Sequence, residues 1–183
     1  MGKKYPGIND KHRQFIEAQK LFFVSTTAPD AHINLSPKGS DSLRILDTNT
    51  VAWLNLTGSG NETAAHLLED NRMTLMFCAF EGDPKILRLY GQARTIHSRD
   101  NAWAEMMDLF PANMGARQIM LMQVELAHTS CGFGVPLYTY CGERPEMDKW
   151  AEKKGVSGIK EWWMNRNSVS LNGRPTGITD DET

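Results

Sequence analysis

The stretch from Met73 to His97 constrains this chain most. Met73-Thr74-Leu75-Met76-Phe77-Cys78-Ala79-Phe80 is a strand-sized apolar run, Gly82-Asp83-Pro84 is turn chemistry, and Lys85 to His97 returns as a long second strand. A run that reverses over so few residues gives antiparallel neighbours, because parallel strands need a crossover of a dozen residues or more. The same pattern extends in both directions. Leu21-Phe22-Phe23-Val24-Ser25-Thr26-Thr27 has strand composition, Pro29-Asp30 turns, and His32-Ile33-Asn34-Leu35-Ser36 alternates polar with apolar like a half-buried strand. Thr50 to Leu56 is a further strand and Gln118 to Ala127 the last. About six strands with few helices predict a mainly β (α+β) fold, a six-stranded antiparallel split β-barrel with flanking helices and a C-terminal extension.

The helices are short. Asp10 to Lys20 reads as one, Ala64 to Glu69 as another, and a third is capped by Ser98 or Asp100 and ends before Pro111. Beyond His128 the character changes. Cys131-Gly132-Phe133-Gly134-Val135-Pro136 is expected to be irregular, short helices follow around Asp148–Lys154 and Ile159–Asn165, and Asn172-Gly173-Arg174-Pro175 reads as a loose tail. A length of 183 residues suits a single domain, 1–183, with a barrel over about 10–128 and a lid and tail over about 129–183.

Composition narrows the function classes. The formal net charge is −2 and the basic residues are scattered, with only Lys3-Lys4 and Lys153-Lys154 as pairs, so nucleic acid is not an expected partner. No apolar run reaches bilayer length, and the N-terminus lacks a secretory apolar segment. Three cysteines without metal-ligand spacing (Cys78, Cys131, Cys141) read as reduced thiols in a cytoplasmic protein. The five histidines are isolated in sequence, so no metal site is expected.

Chemistry concentrates between Asn34 and Thr63. Ser59-Gly60-Asn61-Glu62 matches a helix capping box, and a helix start offers amide donors that attract phosphate. Gly58 and Gly60 allow close backbone approach, Thr57, Ser59 and Thr63 add hydroxyls, and Lys38 ends a neighbouring strand with a counter-charge. A capped helix after a tight turn gives the same sequence without binding anything. A second functional reading is a dinucleotide fingerprint over Gly58 to Thr63, with Glu81 as its downstream acid. Against it, a threonine stands at the third glycine position and hairpins surround the turn.

Taken in order, these segments resemble the pyridoxamine 5'-phosphate oxidase-like FMN-binding split-barrel family, as an uncharacterised subfamily and not the oxidase itself. The resemblance spans Phe15 to Val124. It rests on Ser36-Pro37-Lys38-Gly39, on Leu56-Thr57 before the glycine turn, on the helix leading into Asn71-Arg72-Met73-Thr74-Leu75-Met76-Phe77, and on Ile86-Leu87-Arg88-Leu89-Tyr90-Gly91. It implies FMN at or near the interface of a homodimer, with Lys38 matching a phosphate-binding lysine and Thr57 a flavin-contacting threonine. Asn61, Glu62 and Thr63 stand where the oxidase uses Ser-Arg-Lys, and Ile86 replaces a flavin-contacting glutamine. The oxidase's C-terminal tryptophan and arginine signature has no counterpart, so its substrate is not carried over.

The expected cofactor site is therefore Asn34, Ser36, Lys38, Asn55, Thr57, Gly58, Ser59, Gly60, Asn61, Glu62 and Thr63. Cys131, Gly132, Phe133 and Gly134 are a candidate cover for the flavin ring. No residue stands out as a general acid or base, so catalytic residues stay unassigned. The expected function is an FMN-binding flavoprotein, an FMN-dependent oxidoreductase of an unidentified small molecule. Alternatives are a non-catalytic flavin-binding or stress-response protein, and a dinucleotide-, deazaflavin- or haem-binding protein.

Overall fold

A computed structural model describes residues 2–179. One antiparallel sheet carries the molecule. Its strands are β1 (Lys3–Tyr5), β2 (Phe22–Thr26), β3 (Asn34–Lys38), β4 (Leu43–Ile45), β5 (Thr50–Leu56), β6 (Arg72–Cys78), β7 (Lys85–Ile96) and β8 (Ala116–Cys131). The order is β3-β2-β6-β7-β8-β5-β4, with β1 beside β8, and the sheet curls into a split barrel. Strand β8 borders β7 along most of its length; its first half meets β5 and its second half β1. Pro37 lies on β3, at the edge of the sheet, where a missing N–H costs little.

Eight strands stand where six were expected. The additional two, β1 and β4, are three residues each, too short to show a period in sequence. Strand β8 also continues to Cys131, past the expected end at Ala127, because Thr129, Ser130 and Cys131 pair with Leu87, Ile86 and Lys85.

Helix α1 (Asp10–Ala18) begins on a real capping box. Asn9 Oδ1 accepts from the His12 amide at 3.0 Å, and the Asn9 amide donates to His12 Nδ1 at 3.4 Å. Helices α2 (Glu62–Leu67) and α3 (Trp103–Met107) are short. The two tail helices join as α4 (Glu146–Trp162), broken at Gly155 (φ 64°, ψ 173°), and a π-helical turn, Trp163–Asn167, follows. None of these helices is long and apolar enough to cross a membrane.

The side-chain alternation of β5 sorts the core. Val51 and Trp53 join Val24, Leu75, Phe77, Leu87 and Leu89 inside the curl. Ala52 and Leu54 face outward and are covered by Phe110 and by Trp103, Met106 and Met107 of the α3 region. Burial of both faces explains why this strand is apolar nearly throughout.

Candidate functional site

The ends of β3 and β5, the turn into α2 and the start of β8 converge on a cleft of about 310 Å³. Ten of the eleven residues expected in the corner line it: Asn34, Ser36, Lys38, Asn55, Gly58, Ser59, Gly60, Asn61, Glu62 and Thr63. Thr57 does not line it. It is buried behind the turn, where its hydroxyl donates to the Gly115 carbonyl at 2.9 Å and accepts from Trp163 Nε1 at 2.8 Å. Asn34 Nδ2 donates to Thr63 Oγ1 at 3.2 Å and ties the start of β3 to α2. Other depressions are as large or larger, among them an apolar one beside Phe23 and Phe80, but they do not join buried cations to the glycine turn.

The expected capping box is absent. The N-cap of α2 is Asn61, Glu62 is its first residue, and no side chain caps the helix. Glu62 Oε1 instead accepts from the Leu171 amide at 2.9 Å. The sequence match failed because the turn continues two residues further before helical geometry begins.

A second cation completes the cleft. Asn55 pairs with Gln118 and Leu56 with Ala116, so Arg117 is the extra residue of a β-bulge between β5 and β8. Bulges re-aim side chains, and Arg117 lines the cleft while only 4% exposed. Its Nη1 donates to the Gly60 carbonyl at 3.0 Å and to Asn167 Oδ1 at 2.8 Å, and its buried Nε has no partner. Burial lowers its pKa to about 9, which still leaves it charged at neutral pH. Lys38 places Nζ 5.2 Å from the Trp53 ring centroid. Burial, with a smaller contribution from Arg117, lowers the Lys38 pKa to about 8. Neither cation forms a salt bridge among the described residues. The buried Ser36 hydroxyl, also in the cleft wall, has no hydrogen-bond partner. Two desolvated cations and an orphaned hydroxyl are the donor set that a phosphate monoester satisfies. The residues present therefore fit the phosphate end of a flavin nucleotide.

Polar side chains brace the floor. Asn55 Nδ2 donates to Asn61 Oδ1 and Gln118 Oε1, both at 3.3 Å. The C-terminal segment then clamps the turn from behind. Trp162 Nε1 donates to the Gly58 carbonyl at 3.1 Å, as Asn167 Nδ2 does at 3.2 Å. The expected loose tail is thus docked: Thr176 Oγ1 donates to the Asn167 carbonyl at 2.6 Å, and Arg174 pairs with Glu69 at 3.1 Å. Isolated polar residues gave no sequence sign of this, since their partners lie about a hundred positions away.

Cys131, Gly132, Phe133 and Gly134 are not brought to this cleft. They lie at the opposite end of β8 from Arg117, roughly 45 Å away along the strand at 3.3 Å per residue. Gly132 abuts the start of β7, where an added Cβ would stand 2.6 Å from the Lys85 nitrogen, and Phe133 is exposed. Ile86 is also at that end, paired with Ser130. Among the described residues no group of three or more His, Cys, Asp or Glu side chains is placed to hold a metal ion.

The pyridoxamine 5'-phosphate oxidase family model matches residues 8–131. The pyridoxamine 5'-phosphate oxidase family protein ustO of Aspergillus flavus is 36% identical over 190 residues, covering 93% of this chain and 76% of that one. Among solved structures, HupZ of Group A Streptococcus is similar in fold, with a TM-score of 0.52 and 18% identity over 65% of this chain and 91% of the other. A protein from Clostridium acetobutylicum related to general stress protein 26 of B. subtilis gives a TM-score of 0.51 and 17% identity over 66% and 86%. The order of strands, the placement of the glycine turn and these matches agree: the chain belongs to the pyridoxamine 5'-phosphate oxidase family.

Proposed function

We propose that this protein binds FMN in the β3–β5–β8 cleft and acts as an FMN-dependent oxidoreductase on a small organic molecule. The observation that carries the reading is a pair of cations, buried Arg117 and half-buried Lys38, facing one cleft without a salt-bridge partner among the described residues. Glu62 also lines the cleft, but its carboxylate accepts from the Leu171 amide and pairs with neither cation. A phosphate monoester supplies up to two negative charges for the two positive ones. Ser36 Oγ offers a further donor, and Gly58 leaves open space beside the backbone. Family membership supports a flavin over other phosphate esters.

When bound, FMN supplies the electron transfer; the chain's own residues orient it and control access. Lys38, Ser36 and Arg117 hold the phosphate end. The Cys131–Gly134 segment lies too far along β8 to cover the same chain's cleft. In the proposed homodimer the partner's copy of that segment covers the ring. Exposed Ile33, Leu35 and Phe133 provide apolar surface for a second copy.

The test is an absorption titration of the purified protein. Flavin bands that shift and sharpen on adding FMN, at one site per chain, support the reading; no binding at excess FMN overturns it. Anaerobic reduction of the bound flavin by a nicotinamide nucleotide then supports the enzyme. A flavin that neither a nicotinamide nucleotide nor a panel of small reductants can reduce points instead to a binding protein.

A further inference from the structure

Asn167 sits in the π-helical turn of the C-terminal segment, wholly buried, and bonds to three other parts of the chain. Its Oδ1 accepts from Arg117 Nη1, its Nδ2 donates to the Gly58 carbonyl, and its own carbonyl accepts from Thr176. Arg117 Nη1 is thereby fixed between Asn167 and the Gly60 carbonyl. The rest of the guanidinium is left differently. Nε is buried and unpartnered, and Nη2 makes no hydrogen bond among the described residues. The Nε–Nη2 edge is the fork with which arginine meets an oxyanion in two parallel bonds.

We propose that Asn167 is a positioning residue of the cofactor site, holding Arg117 by Nη1 so that its Nε–Nη2 edge receives a phosphate oxyanion. The C-terminal extension is then part of the site and not only a cover over the sheet. This rests on the flavin reading. Arg117 alone, on a bulge with a long flexible stem, has no side-chain partner but Asn167 among the described residues to select one rotamer.

The test compares FMN and riboflavin dissociation constants for the full-length wild type, Asn167→Asp, Asn167→Ser and Trp162→Phe, with melting curves to confirm folding. Asn167→Asp sets a carboxylate against Arg117 and offsets its charge; Asn167→Ser is too short to hold it. Both are expected to weaken FMN about tenfold or more, the scale of a charge-assisted bond, and to leave riboflavin unchanged. Trp162→Phe loosens the same extension at the same Gly58 carbonyl without touching Arg117. It is expected to keep the wild-type preference for FMN over riboflavin. Asn167 variants that bind FMN like the wild type overturn the proposal. So does an equal loss of riboflavin, or an equal loss of FMN in Trp162→Phe, since loosening alone would explain it. Wild-type protein that binds no FMN overturns the flavin reading itself.

Discussion

Lys38 and Arg117 are held where each makes the other less stable. Burial disfavours both charges, and for Lys38 the neighbouring guanidinium adds to that. An anion between them removes the repulsion, so replacing Lys38 with Ala should weaken FMN binding by ~1.5–3 kcal/mol, as measured by titration. The pH dependence has a definite sign. With its pKa lowered to about 8 in the cleft, Lys38 is charged below that value and neutral above it. FMN affinity should begin to fall as pH approaches 8 and fall steadily above it, while Lys38→Met shows little of that slope. Buried His66 makes a separate prediction. Desolvation lowers its folded pKa below 6.5, with Glu62 and Glu69 opposing and Arg174 assisting. Its imidazole Nδ1 pairs with Thr26 Oγ1 at 3.1 Å and its Nε2 has no partner. Unfolded chains therefore take up this proton first, and its contribution to stability, complete above pH 6.5, is lost as pH falls below that value. Melting temperature against pH should decline less steeply below 6.5 in His66→Gln than in the wild type. Lys38 was legible in the sequence because it ends an alternating strand. Arg117 was not, although a charged residue opening the apolar run Ile119-Met120-Leu121-Met122 was a faint sign.

At the scale of elements, long strands announced themselves and contacts between them did not. Strands β2, β5, β6 and β7 lie within a residue or two of the expected positions, because period and turn chemistry are local properties. Register is not local. The bulge that inserts Arg117 depends on how β5 meets β8, and a second irregularity between Tyr90 and Gly91 depends on how β7 meets β8. Gly91 sits at that second point for a steric reason: a Cβ there would lie 1.9 Å from the Gln123 carbonyl oxygen. Backbone, not a movable side chain, stands in the way. Gly91→Ala should cost roughly 3 kcal/mol in denaturant unfolding, at the upper end of ordinary overpacking. Ala93→Gly on the same strand removes only a methyl group and should cost less. Equal effects would mean that the strand, and not the close approach, is being disturbed. The capping box failed for the opposite reason, a local motif that the surrounding turn overrode. The one that formed, Asn9 with His12, uses a histidine in place of the usual acid or amide.

For the whole molecule, the decisive division is between what holds the sheet together and what completes the site. Among the described residues, both apolar clusters are built from positions between Tyr5 and Ala127, and none of their members comes from the C-terminal extension. Hydrogen bonds to Thr57, Gly58, Arg117 and Glu62 fasten the extension on the back of the cleft. Such bonds contribute about 1 kcal/mol each, net of lost water, so the extension orders the turn without underwriting the core. A chain ended after Arg144 should therefore still fold. Its β7 and β8 amides should stay protected in hydrogen exchange, while those from Gly58 to Thr63 exchange faster than in the full chain. FMN binding should weaken in the same variant, because Arg117 loses Asn167, its one side-chain partner among the described residues. Loss of protection throughout the sheet would show instead that the extension is part of the folding unit. If protection is unchanged from Gly58 to Thr63, the turn is rigid by itself, and the long tail has another use.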